Sequence, residues 1–258
     1  GGAQTVAAGN NITLTAGGGG LLNDAGLKAV GGLQSVSAGG ALTLTGGAGG
    51  DDNIAFIDGF AGQSIIAASI LMTAGDNAGT LGNSAEIRQL GAGSLQTIAV
   101  SGALNLFGGG IASSGTDNRT LITQAGSGLQ QVSANSINLV AGGGTSGLRN
   151  DAQIITVSGS TASQQVDIGS GGLTLLGGTG SAGNNKAFIS LLADLFVDSG
   201  TNATQLVNVT GGGSIAITGG SNAINSPPGN VNSAGIFAAA TGPGGAQTIT
   251  VAGTGGVA

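Results

Sequence analysis

The sequence predicts an all-β protein, a parallel β-helix with three short strands in each coil, on three observations. Apolar and small polar residues alternate strictly over short runs, as in residues 34–38 and 42–45, which is the period of a strand with one buried face. The runs recur in the same order along the whole chain. Glycine separates and closes them, at 56 of 258 residues, about three times its usual frequency.

Each repeat starts at a glutamine: Gln4, Gln34, Gln63, Gln96, Gln130, Gln164, Gln205 and Gln247. In the first unit Val6 and Ala8 share a face with Ile12 and Leu14 across a glycine corner, and the segment from Asn23 to Leu27 supplies a third strand. The second unit repeats this with Val36, Ala38, Leu42, Leu44 and Ile57, and the third with Ile65, Ala67, Ile70, Met72 and Ile87. Fourth and fifth follow with Ile98, Val100, Leu104, Leu106 and Ile122, then Val132, Ala134, Ile137, Leu139 and Ile154.

The sixth unit gives Val166, Ile168, Leu173, Leu175 and Ile189, then inserts residues 190–204, whose apolar spacing fits either a helical turn or an alternating strand. The seventh gives Val207, Val209, Ile215, Ile217 and Ile236, with a loop around Pro227 and Pro228 where a strand is implausible. An eighth begins at Gln247 and stops inside its coil, so seven units are complete.

Successive glutamines stand 30, 29, 33, 34, 34, 41 and 42 residues apart, so the strands stay constant while the loops absorb the variation. Stacked coils behave this way, because only the strands must pair with the coils above and below. The whole of 1–258 therefore reads as one β-solenoid domain. It is expected to be a segment of a longer array or one subunit of a stacked filament, a rod on the order of 34 Å long at ~4.8 Å per coil. A start at Gly1 with no signal-peptide pattern suggests a processed or excised piece.

Composition narrows the function. There is no Trp, no Tyr and no Cys, and only six Phe, so the core must be narrow and aliphatic, and disulfides and thiolate metal sites are excluded. Histidine is also absent, which removes the commonest general base and metal ligand. No cofactor and no metal are expected. Five basic residues in a chain of net charge −6 cannot neutralise a phosphate backbone, so nucleic acid is not an expected partner. The longest apolar run, residues 187–197, is interrupted by Asp194 and falls short of the ~20 residues that span a bilayer, so membrane insertion is not expected.

Two polar columns cross the repeats. An asparagine stands four residues before an apolar strand position in every complete unit: Asn23, Asn53, Asn83, Asn118, Asn150, Asn185 and Asn232. Stacked, their amides can hydrogen-bond along the axis and satisfy the backbone at a tight corner, and the glutamine row would do the same at the other corner. A structural ladder outweighs a ligand role for both.

The recurring pattern Q-[TS]-[VI]-x-[VA]…[GA]-x-[LI]-[TN]-L-x-G-G…N-x-A-x-[IL] resembles the repeats of filamentous-haemagglutinin-like proteins, the large exoproteins of two-partner (type V) secretion. The resemblance runs over essentially all 258 residues. It implies a right-handed β-helix, export to the cell surface or medium, and a role in adhesion, aggregation or biofilm.

The leading functional expectation is an extracellular structural or adhesive rod, not an enzyme, that self-associates end to end or continues in the same chain, with cell-surface glycans as further candidate partners. A polysaccharide-processing β-helix is the alternative. It needs paired carboxylates on one face, and Asp51, Asp52, Asp58, Asp194 and Asp198 are its candidates, each better read as a solvated loop charge. An ice- or crystal-binding surface is weaker, because the array begun by Thr13, Thr15, Thr43 and Thr45 gives way to Asn105, Phe107, Asn138, Val140 and Leu176. Gly-rich stretches such as residues 17–20 lack the Lys-Ser/Thr of a phosphate loop and read as corners.

Overall fold

In a computed structural model, residues 2–75, 82–109, 117–125, 127–143, 149–158, 162–180, 184–193, 203–222, 232–239 and 245–253 are described. All regular structure among them is β, and every strand pairing is parallel. In chain order the strands are β1 (Gln4–Ala8), β2 (Ile12–Thr15), β3 (Ala25–Ala29), β4 (Gln34–Thr45), β5 (Ala55–Gly59), β6 (Gln63–Thr73) and β7 (Ala85–Gln89). Then come β8 (Gln96–Val100), β9 (Ala103–Phe107), β10 (Thr120–Ala125), β11 (Leu129–Val140), β12 (Ala152–Ser158), β13 (Ser163–Leu176) and β14 (Thr179–Gly180). The last are β15 (Lys186–Ala193), β16 (Thr204–Val209), β17 (Ile215–Thr218), β18 (Ser221–Asn222), β19 (Ser233–Ala239) and β20 (Ala246–Val251).

The strands sort into sheets by their place in the repeat. One sheet follows the order β1-β4-β6-β8-β11-β13-β16-β20, with β2, β9 and β17 attached beside it. A second runs β3-β5-β7-β10-β12-β15-β19, and β14 pairs with β18. Neighbours in each sheet come from successive repeats, an arrangement like that of a β-solenoid. Parallel strands cannot be joined by tight hairpins and need a crossover, which here is the rest of the repeat.

The short strands separated by glycine are not always separate. In β4, β6, β11 and β13 the first two strands of the repeat run on as one bent strand, with the register slipping between Ala38 and Ala41 in β4 and between Ala134 and Ser136 in β11. Backbone groups at the corner still find partners one repeat away, as Gly40 N–H does on the Asn10 carbonyl (2.8 Å) and Asn135 N–H on that of Gly102 (2.9 Å). With these bonds kept, the corner is a bulge that re-aims the strand without ending it. The alternating part of the insertion continues β15 to Ala193, its last residue Thr204 opens β16, and residues 194–202, like Pro227 and Pro228, lie outside the described residues.

The core lies between the two large sheets and is filled by columns of aliphatic side chains in register. Ile57, Ile87, Ile122, Ile154 and Ile189 are paired in sequence and fully buried, as are Leu42, Ile70, Leu104 and Ile137. Each such side chain removed from water contributes about 1.5–3 kcal/mol. Among the described residues no Phe enters this core; Phe56, Phe60, Phe107, Phe188 and Phe237 stand on outer faces.

Candidate functional site

The chemistry of this chain is concentrated in the two amide columns, and the structure builds them differently. All eight repeat glutamines fall in exact pairing register, Gln4 to Gln34 and onward to Gln247. Each Nε2 donates to the Oε1 of the glutamine one repeat earlier, at 2.6–2.9 Å through seven consecutive links. The column is therefore directional. The five central glutamines and Gln205 are buried to within 1% of full enclosure.

The same Nε2 groups also reach the second sheet. Gln164 donates to the carbonyls of Ile154 and Ser190, and Gln205 to those of Ile189 and Phe237. Thr156 adds its hydroxyl to Gln130 Oε1 at 3.0 Å. The glutamine row thus fastens the end of one strand layer to the start of the next. From Gln34 to Gln205 each amide has a partner on both its oxygen and its nitrogen, which is what makes a buried amide tolerable.

Asparagines make side chain-to-backbone links instead. Asn53 Oδ1 accepts from the backbone N–H of Asn23, and the pattern repeats through Asn83, Asn118, Asn150, Asn185 and Asn232 at 2.7–3.2 Å. Asn23 and Asn53 also donate from Nδ2 to the carbonyls of Gly19 and Gly49. The two columns differ in detail: the longer glutamine at a strand start reaches its own kind as well as backbone carbonyls, whereas the shorter asparagine at a corner accepts from the backbone N–H one repeat earlier.

Asparagine also has a partner that the sequence did not single out. Gly47 N–H donates to the Asn53 carbonyl (3.1 Å) and Gly142 N–H to that of Asn150 (2.7 Å), closing each loop at its base. The same closure joins Gly17 to Asn23, Gly75 to Asn83, Gly109 to Asn118, Gly178 to Asn185 and Gly220 to Asn232. A Cβ on Gly47 would stand 2.5 Å from that of Asn53, and one on Gly142 2.7 Å from that of Asn150. Only glycine permits this approach. Just before the asparagine, Leu22, Asp52, Asp117, Arg149 and Asn184 all adopt positive φ, between 57° and 74°. That recurring left-handed corner aims the amide down the axis, and its varied side chains hid it from pattern reading.

Of the carboxylates considered for catalysis, Asp51, Asp52 and Asp58 lie among the described residues. Asp58 is held by Arg88 through two bonds of 2.7 and 2.8 Å, and Arg88 also binds Glu86 at 2.6 Å. Arg88 lies 5.6 Å from the centre of the Phe56 ring. Burial opposes the guanidinium charge, but the hydrogen bond to Asp58 and the charges of Glu86 and Asp58 outweigh it and hold its pKa above the ordinary value. Asp51 bridges to Leu21 and donates its N–H to the Gly20 carbonyl, and Asp52 occupies a left-handed corner. Asp194 and Asp198 lie outside the described residues. Among the described residues no three His, Cys, Asp or Glu gather as a metal ion requires, and no helix is long and apolar enough to cross a membrane.

The outward columns of the first sheet are mixed. Thr13 and Thr43 stack on Leu71, Asn105, Asn138 and Thr174, while Thr15 and Thr45 stack on Thr73, Phe107, Val140 and Leu176. Comparison with family models, curated proteins and solved structures finds no match to this chain.

Proposed function

We propose that this chain is an extracellular structural and adhesive rod, a building block of a bacterial surface or biofilm-matrix filament. In this reading it winds right-handed, with three strand positions per coil, seven complete coils and an eighth begun at Gln247. The repeat style of filamentous-haemagglutinin-like exoproteins supports the assignment.

One observation carries it: the directional glutamine column. Every link donates toward the start of the chain, so Gln4 presents its Nε2 and Gln247 its Oε1 at opposite ends of the column. Whatever strand is added there, from further residues of the same protein or from another copy, continues the column in one polarity only. A head-to-tail contact of that kind propagates as a fibre and does not close. The pairing of Asp58 with Arg88 supports a scaffold over a hydrolase, because both carboxylate oxygens are already engaged by the guanidinium.

Negative-stain imaging of the purified chain over a concentration series tests this. The expected images are rods of constant width whose length grows in steps with concentration. Compact particles without a rod axis at every concentration would contradict the reading.

A further inference from the structure

We infer that the outer face of the second sheet carries a cleft for a pyranose unit of a glycan, between Phe188 and Phe237 and above Ser190. The inference rests on the adhesive reading above and gives it a place on the rod.

The cleft arises from the stacking of outward residues. On β12, β15 and β19, Gln153, Phe188 and Gly235 form one row, and Ile155, Ser190 and Phe237 the next. The two rings therefore stand on a diagonal of neighbouring strands. Gly235 leaves the space beside Phe188 open; even a Cβ there would touch only that ring, at 3.6 Å. The resulting cleft has a volume of about 370 Å³ and is lined by Gln153, Lys186, Phe188, Ser190 and Phe237.

Its polar groups are few and keep capacity for a ligand. Ser190 is 2% exposed, and its Oγ is buried without a hydrogen-bond partner. A buried hydroxyl in that condition lowers stability until something pairs with it. Gln153 Nε2 donates to Asp151 at 2.9 Å, which leaves Oε1 as the free end of its amide. Lys186 donates its backbone N–H to Asp151 at 2.7 Å, and among the described residues its ammonium makes no ion pair within 4.0 Å.

The cleft so offers a hydroxyl that can donate or accept, one acceptor, one cationic donor and two aromatic faces. A sugar ring matches the set, with a C–H face for stacking and hydroxyls that both donate and accept. An aryl carboxylate would use the rings and Lys186 but would bring no donor to Gln153 Oε1. An aliphatic chain would leave all three polar groups unmatched. Phe237, at 49% exposure, lines the cleft with its ring still open to solvent.

The test is saturation-transfer NMR and titration with methyl α-glucopyranoside, methyl β-galactopyranoside and N-acetylglucosamine, with benzoate as the competing chemistry. At least one glycoside should bind saturably with Kd on the order of millimolar and receive saturation at its ring C–H protons. Phe237→Ala and Ser190→Ala should each weaken that binding about tenfold, whereas Phe107→Ala, on the other sheet, should leave it unchanged. Three results would each overturn the inference: no saturable binding by any of the three, tighter binding of benzoate, or wild-type affinity in Phe237→Ala. Circular dichroism and negative stain of every variant separate the two claims. Rods that bind no glycoside defeat the cleft alone; loss of the rods defeats the adhesive reading beneath it.

Discussion

A glutamine amide sealed between two sheets is stable only while its neighbours complete it. Gln130 donates to Gln96 at 2.8 Å and accepts from Gln164 at 2.7 Å and from Thr156. Gln130→Leu keeps the volume but orphans Gln96 Oε1 and takes one acceptor from both the Thr156 hydroxyl and Gln164 Nε2, which keeps the Ile154 and Ser190 carbonyls. Urea unfolding should show a loss of roughly 2–4 kcal/mol, well beyond that of Gln131→Leu on the outward face. Asp151 supplies a pH-dependent counterpart. Burial pushes its carboxyl up to about 6 from an ordinary 3.8, against the hydrogen bond and charge of Lys186, the charge of Arg119 and the hydrogen bond from Gln153. The folded chain then holds this proton more tightly than the unfolded chain. Its stabilising contribution is full below about pH 3.8 and is lost as pH rises through about 6. Asp151→Asn should remove that part of the pH dependence and raise stability at pH 7 by at most about 3 kcal/mol, read as the difference between variant and wild-type unfolding curves at pH 4 and 7.

Elements are held at their corners as well as by their cores. The glycine and asparagine that close each loop fix where a strand begins whatever the loop length, from Gly17 with Asn23 to Gly220 with Asn232. Gly142→Ala drives a methyl into the Gly109 carbonyl and the Asn150 side chain. It should destabilise by about 1–3 kcal/mol, whereas Gly9→Ala, which meets nothing within 4 Å, should not. On the outer face, Arg88→Met would leave Asp58 and Glu86, at 5% and 6% side-chain exposure, without their counter-charge. A loss of about 3–5 kcal/mol is expected by thermal or urea unfolding.

Period-2 alternation made the inward columns legible, since Ile, Leu and Val recur where one face is dry, and the repeated Gln and Asn gave the columns their register. What the sequence hid is geometric. Whether an amide meets its own kind or a backbone N–H depends on side-chain length against strand spacing, which no spacing of letters reveals. The left-handed residues before each asparagine are as different as Leu22, Asp52 and Arg149. Fusion of two strands into β4 depends on hydrogen bonds kept through a bulge. The cleft at Phe188 and Phe237 was invisible for a similar reason: it is made by residues from different repeats, one of them opposite Gly235.

For the molecule as a whole, the account depends on equal positions of successive repeats lying side by side in register. The chain has no cysteine, so introduced pairs report this without background. Ser35 pairs directly with Ser64 on the adjacent strand, and the same row continues through Thr97 to Gln131. Neighbours about 4.8 Å apart are within disulfide reach, while three strand spacings, roughly 14 Å, are not. Under mild oxidation Ser35→Cys/Ser64→Cys should crosslink nearly completely within one chain, and Ser35→Cys/Gln131→Cys should stay reduced. A reduced first pair, or equal crosslinking of both, would contradict the stacked-column structure.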